Sequence, residues 1–177
     1  MQPNPIIPAN ILETERLSLR QLTPDDNAFV FELVTEPAWI RNIGDRGVSD
    51  LESATRYIVN GPMASYAKFG FGLYLVARKD GDIPVGICGL LKRETLDDVD
   101  IGFAFLQRHW GNGYAVESAR AVMAHGRQTL ALKRIVAITA PHNDASMRVL
   151  EKIGMRLENT ITQPGHSEPS NFFASEA

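Results

Sequence analysis

The sequence predicts a single α/β domain in which helices are joined to a mixed sheet. Three observations predict it. Strand-like and helix-like segments follow one another in the order β-α-α-β-β-β-α-β-α-β-β, which builds one layered unit. The centre of the chain reads as β around an Asp80-Gly81 hairpin signal. The length of 177 residues, 44% of them hydrophobic, suits one globular domain. A chain of this size buries roughly 70% of its unfolded surface and needs no disulfide or structural metal to fold.

The elements follow in order. Prolines 3, 5 and 8 make residues 1–10 an irregular lead-in, and residues 11–177 are assigned to the domain. In "RLSLRQL" (16–22) Leu17 and Leu19 alternate with Ser18 and Arg20, the pattern of a half-buried strand. Thr23 caps a first helix, with Pro24 at its opening position and Asp25 and Asp26 at its positive end. A second helix starts at Ser49, where Glu52 completes a capping box, and ends at Gly61. Between them "EPAWIRNIGDRGV" (36–48) reads as a loop. Strands over 71–78 and 83–93 flank the Asp-Gly turn, and a third covers 99–106. Small or apolar residues at 115, 119, 122, 123, 126 and 130 form a helical stripe. "RIVAITA" (134–140) is a buried strand, and a short helix capped by Asn143 or Asp144 ends at Gly154. "MRLENTI" and "SNFFAS" are weaker strand candidates.

Bulk properties exclude several classes. A net charge of -3 gives no reason to expect a nucleic-acid partner. No stretch approaches the ~18 apolar residues of a membrane span, and the N-terminus lacks a basic-then-apolar signal pattern. The lone Cys88 lies in an apolar run and reads as a buried thiol in a reducing compartment, so a cytoplasmic location is expected. The histidines at 109, 125, 142 and 166 lack ligand spacing, and no metal is expected.

The segment "RHWGNGYA" (108–115) carries the chemistry. A strand running into Gly111-Asn112-Gly113 and then a helix gathers backbone N–H groups and a positive helix end at one point, an anion site that suits phosphate. Glycine permits positive φ and close approach of a ligand. The alternative is a tight turn with nothing bound. A dinucleotide fingerprint would need a glycine where Val116 stands, and no P-loop Gly-Lys-Ser/Thr run exists. On these grounds valine at Gly111 or Gly113 is expected to abolish ligand binding and spare the fold.

"FLQRHWGNGYAVESARAVMAHG" resembles the acetyl-CoA motif of the GNAT N-acetyltransferase superfamily. With "ILETERLSLRQLTPDD" and "NDASMRVLEKIGMRLE", it is similar to the branch of ribosomal-protein N-terminal acetyltransferases (RimJ/RimL-like), over roughly residues 10–158. The resemblance implies a mixed, mostly antiparallel sheet flanked by helices, with splayed central strands. It implies acetyl-CoA as co-substrate and a primary amine as acceptor, on a protein N-terminus or a small molecule. It implies that Phe103, Ala104 and Phe105 present their backbone to the pantetheine arm. Arg108, His109, Trp110, Gly111, Asn112, Gly113, Tyr114 and Ala115 would then cradle the pyrophosphate, and Asn143 would bond the pantetheine.

Ser146 shares a helical face with Val149, Leu150 and Ile153, where a hydroxyl either back-bonds to a carbonyl or faces a site. The ribosomal-protein branch carries a serine here, near the CoA sulfur, while many relatives have a tyrosine at the position of Leu150. The resemblance therefore makes Ser146 both a cofactor contact and the donor to the departing thiolate. The ammonium needs a base. Glu94, Asp98, Asp100 and His142 are candidates, and Glu94 is the choice. Trp39, Arg41, Asp45 and Arg46 fall where the acceptor pocket is expected. The alternative reading is a catalytically inactive acyl-CoA-binding regulatory module of the same fold. The chain is expected as monomer or homodimer, and the short C-terminal segment leaves the end of the sheet open.

Overall fold

In a computed structural model, described for residues 9–176, eight strands form one sheet in the order β1-β2-β3-β4-β5-β6-β8-β7. The strands are β1 (Asn10–Glu13), β2 (Leu17–Gln21), β3 (Leu73–Arg78), β4 (Ile83–Leu91), β5 (Val99–Phe105), β6 (Ile135–Thr139), β7 (Met155–Ile161) and β8 (Ser170–Ser175). The helices are α1 (Asn27–Thr35), α2 (Pro37–Asn42), α3 (Leu51–Ile58), α4 (Ala64–Phe69), α5 (Tyr114–Gln128) and α6 (Asp144–Lys152). Every strand pair is antiparallel except β5–β6. The α/β class and the mixed, mostly antiparallel sheet are as expected.

Two apolar cores cover the two faces. On one face Leu17, Leu19, Val76, Cys88, Ile101 and Phe105 pack with Ala119, Val122 and Met123 of α5 and Leu150 of α6. On the other, Leu75, Ile87 and Leu106 pack with Val30, Leu33 and Val34 of α1, Trp39 of α2, and Ala54 and Ile58 of α3.

Several boundaries differ from expectation. Asn10, placed in the irregular lead-in, begins β1; the rest of that lead-in, up to residue 8, lies outside the described residues. Four residues are too short a run for alternation to show. Thr23 and Pro24 open a 3-10 turn, Pro24–Asp26, rather than α1 itself; the Asp26 carboxylate accepts the Thr23 N–H at 2.8 Å and pairs with Arg20. The expected loop 36–48 contains α2, started by Pro37 at a first helical position and anchored by buried Trp39. The cap of α3 is Asp50 with Ser53, one residue later than Ser49 with Glu52. That helix does not stop at Gly61. It passes through a π turn, Val59–Met63, into α4, and stops at Gly70 in the left-handed conformation.

The open end of the sheet is closed by the C-terminal segment. β8 inserts between β6 and β7 and pairs with both, Ile138 opposite Phe172 and Leu157 opposite Phe173.

Near the other end, Glu117 in the first turn of α5 ties down the β1–β2 turn. Its carboxylate accepts from the Thr14 hydroxyl at 2.7 Å, the Arg16 N–H at 2.9 Å and Arg16 Nε at 2.7 Å. Burial alone would raise this carboxyl's pKa, and those hydrogen bonds outweigh it and hold the pKa below the ordinary glutamate value. A lowered folded pKa gives stability that is present at neutral pH and lost as pH falls through that value. Glu117→Gln is expected to cost about 2 kcal/mol at neutral pH. Chemical denaturation at pH 7 and pH 4 will show the difference shrinking in acid.

Candidate active site

The parallel pairing of β5 and β6 lasts only from Val99–Ile135 to Asp100–Val136. Beyond it β5 runs to Phe105 and β6 to Thr139 without a partner between them, so the strands splay. The Leu106 N–H donates to Val85 of β4. The two-residue alternation of a strand then turns the Ala104 N–H to β4 as well, and the N–H groups of Phe103 and Phe105 into the gap. The Phe105 carbonyl, on the same side, accepts Trp110 Nε1 at 2.8 Å. Two unspent backbone donors thus face a cleft of about 1050 Å³.

The gap leads to the N-terminus of α5. Gly111 and Gly113 both have positive φ, +79° and +78°. A Cβ on Gly111 would meet nothing within 4 Å, and one on Gly113 would meet Arg16 Nη2 at 3.4 Å. The turn needs glycine for its backbone, and the space in front of Gly111 is open. Valine at either position would therefore strain the turn as well as fill the cradle, so the fold is not spared as expected.

The other expected site residues divide. Phe103, Ala104, Phe105, His109, Trp110, Gly111, Gly113, Tyr114, Ala115, Asn143 and Ser146 all line the cleft. Arg108 does not. It pairs with Glu32 of α1, so its charge is spent outside the cradle. Asn112 does not line it either; its Nδ2 donates to the carbonyls of His109 (3.0 Å) and Trp110 (3.2 Å) and closes the loop. Asn143 caps α6, its Oδ1 accepting the Ser146 N–H at 3.2 Å. The Ser146 hydroxyl bonds to no other described residue, whereas the Ser118 hydroxyl back-bonds to the Tyr114 carbonyl at 2.8 Å. Of the two fates open to a helical serine, Ser146 has the one that faces the cleft.

Glu94 is not brought to the site. It lies exposed in the turn after β4 and does not line the cleft. The carboxylate set into the wall is Asp100, 1% exposed, with Arg93 Nε at 3.1 and 3.0 Å from its two oxygens. Burial raises the Asp100 pKa above the ordinary value, and Arg93 opposes the shift. Its strand position and a pair seven residues apart were not decisive in the sequence.

Two buried polar atoms of the lining, His109 Nε2 and Thr139 Oγ1, have no hydrogen-bond partner among the described residues. Unpaired buried polar groups are costly and are met by a ligand or water when the site fills. Burial first, then Arg108, lowers the His109 pKa below the ordinary histidine value. Cys88 is out of reach: burial pushes its thiol up to about 12, so no nucleophile is available there. Among the described residues no group of His, Cys, Asp and Glu could hold a metal, and no helix is long and apolar enough to cross a membrane.

The chain matches the family model described as an acetyltransferase (GNAT) domain over residues 16–156. It is 30% identical over 154 residues to YoaA of Bacillus subtilis, an uncharacterized N-acetyltransferase, covering 86% of each chain. It is similar to the crystal structure of an acetyltransferase from Agrobacterium tumefaciens, at 26% identity, a TM-score of 0.80 and full coverage of both chains. The fold is also that of RimL, a ribosomal-protein alpha-N-acetyltransferase in complex with coenzyme A. There the TM-score is 0.82 at 19% identity, covering 95% of this chain and 98% of that one.

Proposed function

The chain belongs to the GNAT acetyltransferase family, and from that premise we propose that it moves an acetyl group from acetyl-CoA directly to a primary amine. The observation that carries the reading is the unpaired edge of β5 leading into the open glycine cradle at α5. The residues fit the co-substrate: Gly111 leaves open the space that a Cβ would fill, and His109 and Thr139 offer polar atoms with no partner among the described residues. When bound, acetyl-CoA supplies the activated thioester. The backbone of Gly111 to Ala115 would hold the pyrophosphate, aided by the positive end of α5. The N–H groups of Phe103 and Phe105 would hold the pantetheine and polarise the carbonyl, an effect worth ~3–4 kcal/mol per oxyanion donor. Asn143 Nδ2 remains free of its capping role and would add a donor. Ser146 would give a hydrogen bond to the departing thiolate. Asp100, rather than Glu94, would take the ammonium proton, directly or through water.

A thermal melt with and without acetyl-CoA tests the reading. A ligand at ~100 times its dissociation constant stabilises by ~2.7 kcal/mol, a rise of several degrees. A rise with acetyl-CoA, absent with ATP or NAD, is expected; no rise at millimolar acetyl-CoA sinks it. Turnover with any amine eliminates the inactive acyl-CoA-binding module. Ser146→Ala is expected to lower turnover about tenfold or more with a smaller change in CoA affinity. Equal losses in the two would show a packing role.

A further inference from the structure

A second groove of about 450 Å³ lies between α3 and the loop before it, lined by Arg46, Ser53, Arg56, Tyr57 and Asn60 among others. It shares Arg46 and Tyr57 with the cleft, so the two lie side by side. The π turn of Val59–Met63 supplies Asn60 and Gly61 to it. The charged residues that line this groove are both arginines. Asp50 caps α3 through the Ser53 N–H at 2.7 Å, while Glu52 pairs with Arg56 of the groove at 2.6 Å and offsets its charge. Arg46 forms no salt bridge with any described residue. The Tyr57 phenol, where groove and cleft meet, lies within the electrostatic reach of Arg46 and of Arg93.

Resting on the acetyl-transfer reading, we propose that the acceptor is an amine that also carries an anionic group, held in this side groove by Arg46 while the amine enters the cleft. The two ends of such a molecule find opposite partners: Asp100 in the cleft wall for the ammonium, the Arg46 guanidinium in the groove for the anion. Guanidinium forks suit carboxylate and phosphate. A polycation would set its second ammonium against Arg46, a like-charge contact that lowers affinity. Glu168 and Glu36 also line the cleft, but neither lines the groove, and Glu36 already accepts the Gln107 N–H at 3.1 Å.

The test compares matched acceptors at saturating acetyl-CoA. Short C-terminally amidated peptides with acidic second and third residues are set against their amide counterparts, and free glutamate against glutaminamide, which has no carboxylate. An acidic preference in kcat/KM of about tenfold is expected, the effect of one charge-assisted hydrogen bond. It should disappear in Arg46→Gln and persist in Arg156→Gln, a charge-matched control on the exposed β7 edge. Preference among peptides alone identifies an acidic polypeptide N-terminus, and preference extending to glutamate identifies a small amino acid; both support the proposal. Equal rates for acidic and amide acceptors, or a preference untouched by Arg46→Gln, overturn it. If acetyl-CoA binds but no amine is acetylated, the transfer reading fails. The groove is then judged by calorimetry, titrating acidic and amide peptides into the CoA-loaded protein. About tenfold tighter binding of the acidic peptide supports it, and equal binding overturns it.

Discussion

Gly111→Asn is expected to weaken acetyl-CoA binding by about a hundredfold while the protein melts close to the wild-type temperature. Asparagine is the informative replacement. With φ at +79°, most side chains strain this turn by ~1–2 kcal/mol, and asparagine visits the left-handed region more readily. Its side chain would occupy the open space in front of the backbone N–H groups at the start of α5. Loss of two charge-assisted hydrogen bonds there costs about 3 kcal/mol, roughly a hundredfold in affinity. Titration calorimetry measures the affinity and a melt measures the fold. Unchanged affinity in a well-folded variant would mean that the cradle holds no phosphate. Gly111→Ala separates the causes further, because it adds strain with little bulk.

The parts of this molecule that sequence reveals are those set by local rules. Strand β4, helix α5 and helix α6 announce themselves through periodicity and caps, and Gly111 and Gly113 through a turn that only positive φ can make. What sequence hides is what depends on partners far along the chain. Arg108 sits within the glycine motif, yet Glu32, seventy-six residues away, draws its guanidinium to α1. α2 is hidden because Pro37 reads equally as a loop residue and as a helix start; the burial of Trp39 settles it only in three dimensions. Glu94 and Asp100 are both carboxylates near a strand end, and their sequence neighbourhoods do not separate them. Strand alternation and the Arg93 pairing do, by burying one in the cleft wall and leaving the other in solvent. β8 reads as a strand candidate in "SNFFAS", but its place between β6 and β7 stays hidden, being a matter of register and not of composition.

Asp100→Asn is expected to lower turnover by ~10²–10⁴, the range of a lost general base, with little change in acetyl-CoA affinity. The carboxyl's pKa is raised by burial, with Arg93 pulling the other way, and a base is most effective when its pKa moves toward the working pH. The acidic limb of kcat/KM for the amine should therefore lie above the ordinary aspartate value and vanish in the variant. The same shift has a consequence for stability with a definite sign. A carboxyl whose folded pKa is raised binds its proton more tightly when folded, so wild-type stability falls as pH rises from the ordinary aspartate value through the raised one. Asp100→Asn removes that slope, and denaturation midpoints across this window will show it. Arg93→Met makes the complementary test, because it strands a buried carboxylate and should cost ~3–5 kcal/mol. If Asp100→Asn flattens the stability profile but leaves turnover intact, the Arg93–Asp100 pair only holds β5 to the end of β4, and the base must be sought elsewhere in the cleft. A loss of turnover together with the flattened profile assigns proton transfer to Asp100, since a purely structural pair would leave the chemical step unchanged.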